Sequence, residues 1–159
     1  MLATTEALTV EPIDPLDPRA LALLAEAAEQ ARKLYPELFN ADSPAPTNTP
    51  LAAREFYLLA RRDGHAVGCG ALRCVDALTG EMRRMFVTRA ARRAGVASAL
   101  LAALESQARA LGYRRLVLET GVRQKAAIAL YKSAGWRRIP PFGAHAGDPT
   151  SVCFGKALD

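Results

Sequence analysis

The segment from Gly80 to Thr120 constrains the fold most, because it reads as a strand, a helix and a second strand in immediate succession. "GEMRRMFVT" and "RRLVLET" carry strand-forming residues, and between them Val96, Leu100, Leu101, Leu104, Ala108 and Leu111 recur at helical spacing. Such a unit closes as a parallel crossover, with the helix lying on the sheet. The start of that helix is anomalous. The first turn of a helix presents unpaired N–H groups and a partial positive charge, which Asp, Ser or Thr normally satisfies. Here no Asp, Glu or Thr occurs from Arg89 to Ala97, and Arg89, Arg92 and Arg93 stand just ahead of the first turn.

Two explanations compete. A basic surface loop can tolerate a poor cap at a cost of about 1 kcal/mol. Alternatively an anion completes the site, since a helix start with free N–H groups binds phosphate. Gly95 favours the anion, because a residue without a Cβ lets the backbone approach a ligand. Guanidinium forks then become phosphate partners. An earlier helix supplies an internal control. In "DPRALALLAEAAEQARKLY" Asp17 is the N-cap, Pro18 takes the first helical position, and Arg32 and Lys33 lie in the last turn. Leu24, Ala27, Ala28, Ala31 and Leu34 give it an apolar stripe. The chain caps a helix conventionally where no ligand is needed. A later helix, "QKAAIALYKSAG", also begins beside basic residues, Arg123 and Lys125, so general arginine richness is the competing account.

The remaining elements follow from local signals. A strand over Ala7–Ile13 precedes the first helix. "PELFNADSPAPTNTP", with Pro36, Pro44, Pro46 and Pro50, reads as a long ordered loop with one helical turn, of the kind that often carries function. "EFYLLARR", the turn Asp63-Gly64 and "HAVGCGALRCV" form a hairpin, and the chain closes with strands near "WRRI" and "SVCFGKA". The order β-α-β-β-β-α-β-α-β-β predicts an α/β (α+β) fold, a mixed sheet flanked by helices with one parallel crossover. With 159 residues, half of them hydrophobic, the chain is long enough for a real core and predicts a single domain over residues 1–159.

Composition removes several functions. The beginning, "MLATTEALTV", has no basic region followed by an apolar run, and "ALALLAEAA" is interrupted by Glu26 and too short to span a bilayer, so a soluble, cytoplasmic protein with no membrane partner is expected. Cys69, Cys74 and Cys153 are odd in number and form no close pair. Neither they nor the two histidines have zinc spacing, so no metal site is expected and each cysteine reads as a small buried hydrophobe. A net charge of +5 points to an anionic partner. Aromatic residues do not interleave with basic ones as a base-stacking platform requires, which argues against nucleic acid. No Gly-Lys-Ser/Thr is present, which excludes a Walker-type loop. In "GCGALR", Gly68-x-Gly70 lies within a strand and Arg73 stands where a dinucleotide fingerprint needs Gly or Ala.

Arg92-Arg93-Ala94-Gly95-Val96-Ala97 resembles the Arg/Gln-x-x-Gly-x-Gly/Ala signature of the GNAT superfamily, the acetyl-CoA-dependent N-acetyltransferases. The setting strengthens it: the strand "GEMRRMFV" before, a helix after, then "RRLVLET" and "AIALYKSAGW". The last is similar to the family's Ala-Ile-x-Leu-Tyr-x-x-x-Gly-Phe element, with Trp136 in place of Phe. The tail "PPFGAHAGDPTSVCF" resembles a bacterial branch of the family in which Tyr is more usual where this chain has His145.

The resemblance implies a GNAT-like, largely antiparallel twisted sheet with a splayed parallel strand pair. It implies that backbone N–H groups across Arg92, Arg93, Ala94, Gly95, Val96 and Ala97, with the arginine side chains, hold the pyrophosphate of acetyl-CoA. The pantetheine arm would run along Met85, Phe86 and Val87 like an added strand, and an N–H near Met85 would polarise the thioester carbonyl. Gln124 stands where the family often has an Asn that contacts this arm. The acceptor amine is protonated at neutral pH and needs a base. Glu81 has the spacing of a strand glutamate used as base in similar enzymes, with a surface pairing to Arg83 as the equal alternative; Glu119 is the fallback base, with a structural pairing to an arginine as the favoured alternative. Tyr131 matches the tyrosine placed at the leaving sulfur, or else is a core tyrosine beside Ile128 and Leu130.

The expected activity is acetyl transfer to a primary amine by direct attack, with a small molecule favoured over a protein as acceptor. No cysteine falls in the expected site, which argues against an acyl-enzyme. The resemblance implies that the Pro36–Pro50 and Pro141–Asp148 loops frame the acceptor, and Asp42 and Asp148 are either amine-attracting groups or turn residues. The alternatives are a non-catalytic acyl-CoA-binding regulator on the same fold, which Glu81 and Tyr131 argue against, and a basic nucleic-acid-binding domain, which leaves Gly95 and the helix start unexplained. Many family members pair as homodimers, though no stretch here marks an interface.

Overall fold

The computed structural model describes residues 7–40, 42–92 and 94–159. Its elements follow the expected order: β1 (Thr9–Pro12), α1 (Pro18–Leu34), β2 (Phe56–Arg62), β3 (His65–Cys74), β4 (Thr79–Val87), α2 (Val96–Ala110), β5 (Arg115–Gly121), α3 (Lys125–Ser133), β6 (Arg137–Ile139) and β7 (Ser151–Ala157). Asp17 caps α1 through a 2.8 Å bond from the Arg19 N–H, with Pro18 directly behind it. The β1 strand is shorter than Ala7–Ile13 because Pro12 has no N–H to carry the ladder on, although Ile13 still donates to the Tyr57 carbonyl at 2.9 Å. No helix among the described residues is long and apolar enough to cross a membrane.

The seven strands form one mixed sheet in the order β1-β2-β3-β4-β5-β7-β6. Neighbouring strands are antiparallel, except that β4 and β5 run parallel around the α2 crossover. Asp63 and Gly64 both take positive φ (53° and 74°), the geometry of a tight two-residue hairpin turn between β2 and β3.

Alternation along β2 divides the core between two faces. Leu58 and Ala60 join Leu72, Met82, Leu116, Leu118 and Phe154 beneath Leu100 and Leu104 of α2 and Tyr131 of α3. Tyr57 and Leu59 join Cys69 and Ala71 beneath Ala20 and Leu23 of α1. The Gly68-x-Gly70 pair has a packing purpose. A Cβ at Gly68 would sit 2.9 Å from Leu100 Cδ1, and one at Gly70 would sit 2.8 Å from Leu104 Cδ1, so both glycines let α2 press against β3. Glu105, buried on α2, pairs with Lys156 Nζ of β7 at 2.5 Å, and that ammonium also donates to the Ala134 carbonyl at the end of α3 at 2.7 Å.

Two of the three cysteines are buried, as expected; Cys74 is exposed. It is the last residue of β3, where the chain leaves the sheet, and its thiol reaches the Asp76 carbonyl at 3.4 Å.

Candidate functional site

The parallel pairing of β4 with β5 is brief. It joins Thr79–Met82 to Arg115–Leu118 and then stops. Past that point β4 pairs only with β3, and Glu119–Gly121 pair only with β7. The separation follows from a bulge in β4. Cys69 lies opposite Phe86 and Ala71 opposite Arg83, so two residues, Arg84 and Met85, oppose the single Gly70. An extra residue bends its strand. Arg84 takes a φ of 60° there, a conformation rarely adopted by a residue with a side chain.

The splay opens onto a cleft of 880 Å³ walled by the second half of α1, β4, and the starts of α2 and α3. Met85, Phe86, Val87, Arg92, Gly95, Val96, Ala97, Gln124 and Tyr131 all line it. The structure therefore brings together nine residues expected at the cofactor or the reacting atoms. Three expected residues stand apart. Arg93 lies outside the described residues. Ala94 does not line the cleft and instead accepts a 3.4 Å bond from the Arg62 guanidinium on its carbonyl. Glu81 lines no part of it.

The electrostatics of the cleft are one-sided. Lys33, Arg89, Arg92, Arg123 and Lys125 line it, and no carboxylate does among the described residues. Both helix starts facing it lack a side-chain cap and have no acidic residue in the first turn. The capped helix α1 presents its opposite, basic end to the same space. Gly95 forms the N-cap of α2 at φ 79°, and a Cβ there would meet nothing within 4 Å. Its conformation demands glycine and its surroundings are open, as an anion cradle requires. Two of the arginines already have partners. Arg92 donates to the Val87 carbonyl at 3.2 Å and to Gln30 Oε1, tying α1 to the end of β4. Arg123 pairs with Glu37 and donates to the Leu34 carbonyl at 2.8 Å.

Tyr131 is 5% exposed, held against Trp136 and Phe154 at ring separations of 5.9 and 6.1 Å. It is at once a core residue and a residue of the cleft wall. Burial pushes its phenol up to about 12, so it stays protonated at neutral pH and is able to donate.

Beyond the last β4–β5 pair a second group of titratable residues gathers. Glu119 Oε2 lies 3.1 Å from His145 Nδ1 in the loop before β7. Burial, the charge of Asp148 and the charge of Glu81 hold the Glu119 carboxyl above its ordinary value, against the pull of His145 and Arg83. Glu81 thus lies within electrostatic reach of Glu119 while forming no ion pair with Arg83 among the described residues. Asp148 is a turn residue, accepting from the Thr150 N–H and hydroxyl at 2.8 Å each. Asp42 lines neither cavity.

A smaller cavity of 350 Å³ lies between α1, the Pro-rich loop and the β4 bulge. Cys69 borders it, so one cysteine does approach the site. Burial pushes that thiol up to about 11, leaving little thiolate at neutral pH. Arg84 also lines it, its Nε bonded to Asn48 Oδ1 at 3.0 Å and its Nη2 to the Thr47 carbonyl at 3.1 Å. Sequence reasoning did not single out Arg84 or Asn48. A signal was present in Met82-Arg83-Arg84-Met85, where two apolar residues of one face are separated by two polar ones, which strict alternation forbids.

The comparisons agree with this geometry. The model of the Acetyltransferase (GNAT) family matches residues 20–136. The chain is 44% identical over 103 residues, 64% of its own length and 67% of the other's, to the "IAA acetyltransferase" of Azospirillum brasilense. Among solved structures it superposes on a Klebsiella pneumoniae protein provisionally named acyl-CoA N-acyltransferase with a TM-score of 0.78, at 35% identity over 96% of this chain and 98% of that one. A GNAT acetyltransferase from Elizabethkingia anophelis, crystallised with acetyl-CoA bound, shares the fold with a TM-score of 0.67 at 19% identity, covering 95% of this chain and 98% of that one. With a splayed parallel pair, a glycine-opened helix start between its strands, and a family match spanning both, the chain belongs to the GNAT family of acetyltransferases and is an acyltransferase.

Proposed function

We propose that the protein transfers an acetyl group from acetyl-CoA to a primary amine of a small molecule, by direct attack in a ternary complex. The observation that carries this reading is the cationic cleft at the splay, where two uncapped helix starts meet with no carboxylate in the wall among the described residues. The N–H groups from Gly95 to Ala97, with Arg89 and Lys125, hold the pyrophosphate. Arg92 acts as a brace, keeping α1 and β4 at the separation the pantetheine arm needs. Backbone groups of Met85 and Val87 bind that arm, and the Met85 N–H polarises the thioester carbonyl. Acetyl-CoA supplies the activated acyl group when bound.

Glu81 takes the proton from the ammonium, directly or through water, and Tyr131 supplies one to the departing sulfur. The high phenol value of Tyr131 supports this role, since a donor must be protonated before it acts. The buried, weakly acidic Cys69 supports direct attack over an acyl-enzyme.

A thermal melt with acetyl-CoA, with ATP and NAD as controls, tests the cofactor. A ligand at one hundred times its dissociation constant adds about 2.7 kcal/mol of stability. Stabilisation by acetyl-CoA alone is expected, followed by thiol release with an amine panel. No stabilisation would overturn the reading. Stabilisation without thiol release from any amine would identify a non-catalytic acyl-CoA-binding regulator instead.

A further inference from the structure

We propose that the 350 Å³ cavity beside Arg84 is the acceptor site, and that it selects an amine bearing both a carboxylate and an apolar body, such as an aromatic or branched α-amino acid. The inference rests on the acetyl-transfer reading above and names the substrate class of that site.

Position comes first. The cavity shares Ala27, Ala31, Met85, Phe86 and Gln124 with the cofactor cleft, so a molecule held in it reaches the β4 bulge. Its volume is that of a small ligand pocket, roughly 300–1,000 Å³ in general. Leu23, Leu24, Ala28, Phe39, Tyr57 and Phe86 make most of its wall apolar, which suits a hydrocarbon or aromatic body.

Charge comes second. No carboxylate lines the cavity among the described residues, but Arg32 and Arg84 do. Arg84 is half-buried, and its acceptors among the described residues are neutral, the Asn48 side chain and the Thr47 carbonyl. No Asp or Glu among the described residues pairs with it. Its like-charged neighbours Arg83 and Arg73 add to burial in holding its guanidinium below the ordinary value. The side chain is nevertheless fixed. Asn48 is 6% exposed and is itself tied to the Pro15 carbonyl at 2.9 Å and to the Tyr57 hydroxyl at 3.3 Å. Two of the guanidinium nitrogens are thus committed, and Nη1 has no partner among the described residues. A pre-oriented, partly desolvated cation without a counter-ion is completed by an arriving carboxylate. An amine without one would bring a second cation to a cationic pocket.

The test compares thiol release from acetyl-CoA with phenylalanine, tryptophan and leucine against their decarboxylated counterparts phenethylamine, tryptamine and isoamylamine, with glycine as a carboxylate lacking the body. At least one amino acid is expected to exceed both its own amine and glycine in kcat/KM by about tenfold or more. Arg84→Gln should remove that advantage through KM, with a much smaller effect on the decarboxylated amine, and Arg84→Lys should keep part of it. Ala28→Trp, which fills the cavity from its α1 wall, should lose acceptor turnover. Both Arg84→Gln and Ala28→Trp should retain stabilisation by acetyl-CoA, which separates this inference from the cofactor reading. Amines equal to or better than their amino acids in the wild type, or an equal loss for both in Arg84→Gln, would overturn it.

Discussion

His145 Nδ1 lies 3.1 Å from Glu119 Oε2, joining the loop before β7 to the first residue of β5 beyond its last pair with β4. The contact holds a carboxylate just beyond the last β4–β5 pair, in a place where burial opposes its charge. Its carboxyl sits above the ordinary 4.5, and the sign of the consequence follows. A carboxyl raised in the folded state contributes stability that is present below 4.5 and lost as pH rises through the raised value. Glu119→Gln removes that loss. Its melting temperature should match the wild type near about pH 4 and exceed it near about pH 8, a difference read directly from paired melts. A variant less stable at the higher pH would show that the His145 contact outweighs the burial of charge.

Gly95 concentrates the cofactor argument in one residue. A Cβ meets nothing there, so substitution is opposed by φ 79° and by whatever occupies the open space. Gly95→Ala should lower the stability of the free protein by about 1–2 kcal/mol, the cost of the left-handed conformation for a residue with a Cβ. Gly95→Asp places negative charge at the proposed phosphate site and should abolish stabilisation by acetyl-CoA altogether. Isothermal titration on both variants checks this, and full affinity in Gly95→Asp would move the phosphate elsewhere.

The parts of this site that were legible in the sequence are those written within a few residues. Asp17-Pro18 announces the start of α1, and Gly95 after two arginines announces an uncapped helix start, because both depend on local backbone chemistry. The parallel β4–β5 pair follows from a helix placed between two strands. What escaped is set by contacts far apart in the chain. Arg92 meets Gln30 across 62 positions, and Arg84 meets Asn48 across 36, so neither partner can be paired by spacing. Glu119 and His145 meet only because the loop before β7 folds back. The bulge at Arg84 is the intermediate case. The Met-Arg-Arg-Met pattern contains it, but a doublet of arginines in a basic protein reads first as surface charge.

Tyr131 combines a core position with a hydroxyl that has no hydrogen-bond partner among the described residues. Tyr131→Phe keeps the ring packing against Trp136 and Phe154 and removes only the hydroxyl. Turnover should fall by about 10²–10⁴-fold, the usual contribution of a positioned acid, while the acetyl-CoA melt shift changes little. The raised phenol also contributes stability that is present below pH 10 and lost as pH rises toward about 12. The Phe variant should therefore lose less stability than the wild type over that alkaline interval. Equal losses of turnover and cofactor affinity would reduce Tyr131 to a packing residue.

Glu81 and Glu119 lie within electrostatic reach of each other and are the two candidates for the base, and their pH profiles separate them. Glu81 sits opposite Val117 in the last stretch where β4 and β5 remain paired, so its backbone is fixed although its carboxylate has no cation partner among the described residues. Glu119 begins the part of β5 that β4 has left, and its acidity is weakened by burial and by Glu81 itself. Removing the true base hurts most where the acceptor is still protonated and least where solvent has already freed the amine. Glu81→Gln should therefore lower kcat/KM strongly near about pH 7 and progressively less toward about pH 10. If Glu119 alone is the base, Glu119→Gln shows that slope and Glu81→Gln shows none. The double variant decides the remaining case: two carboxylates acting through one water give losses that are far from additive.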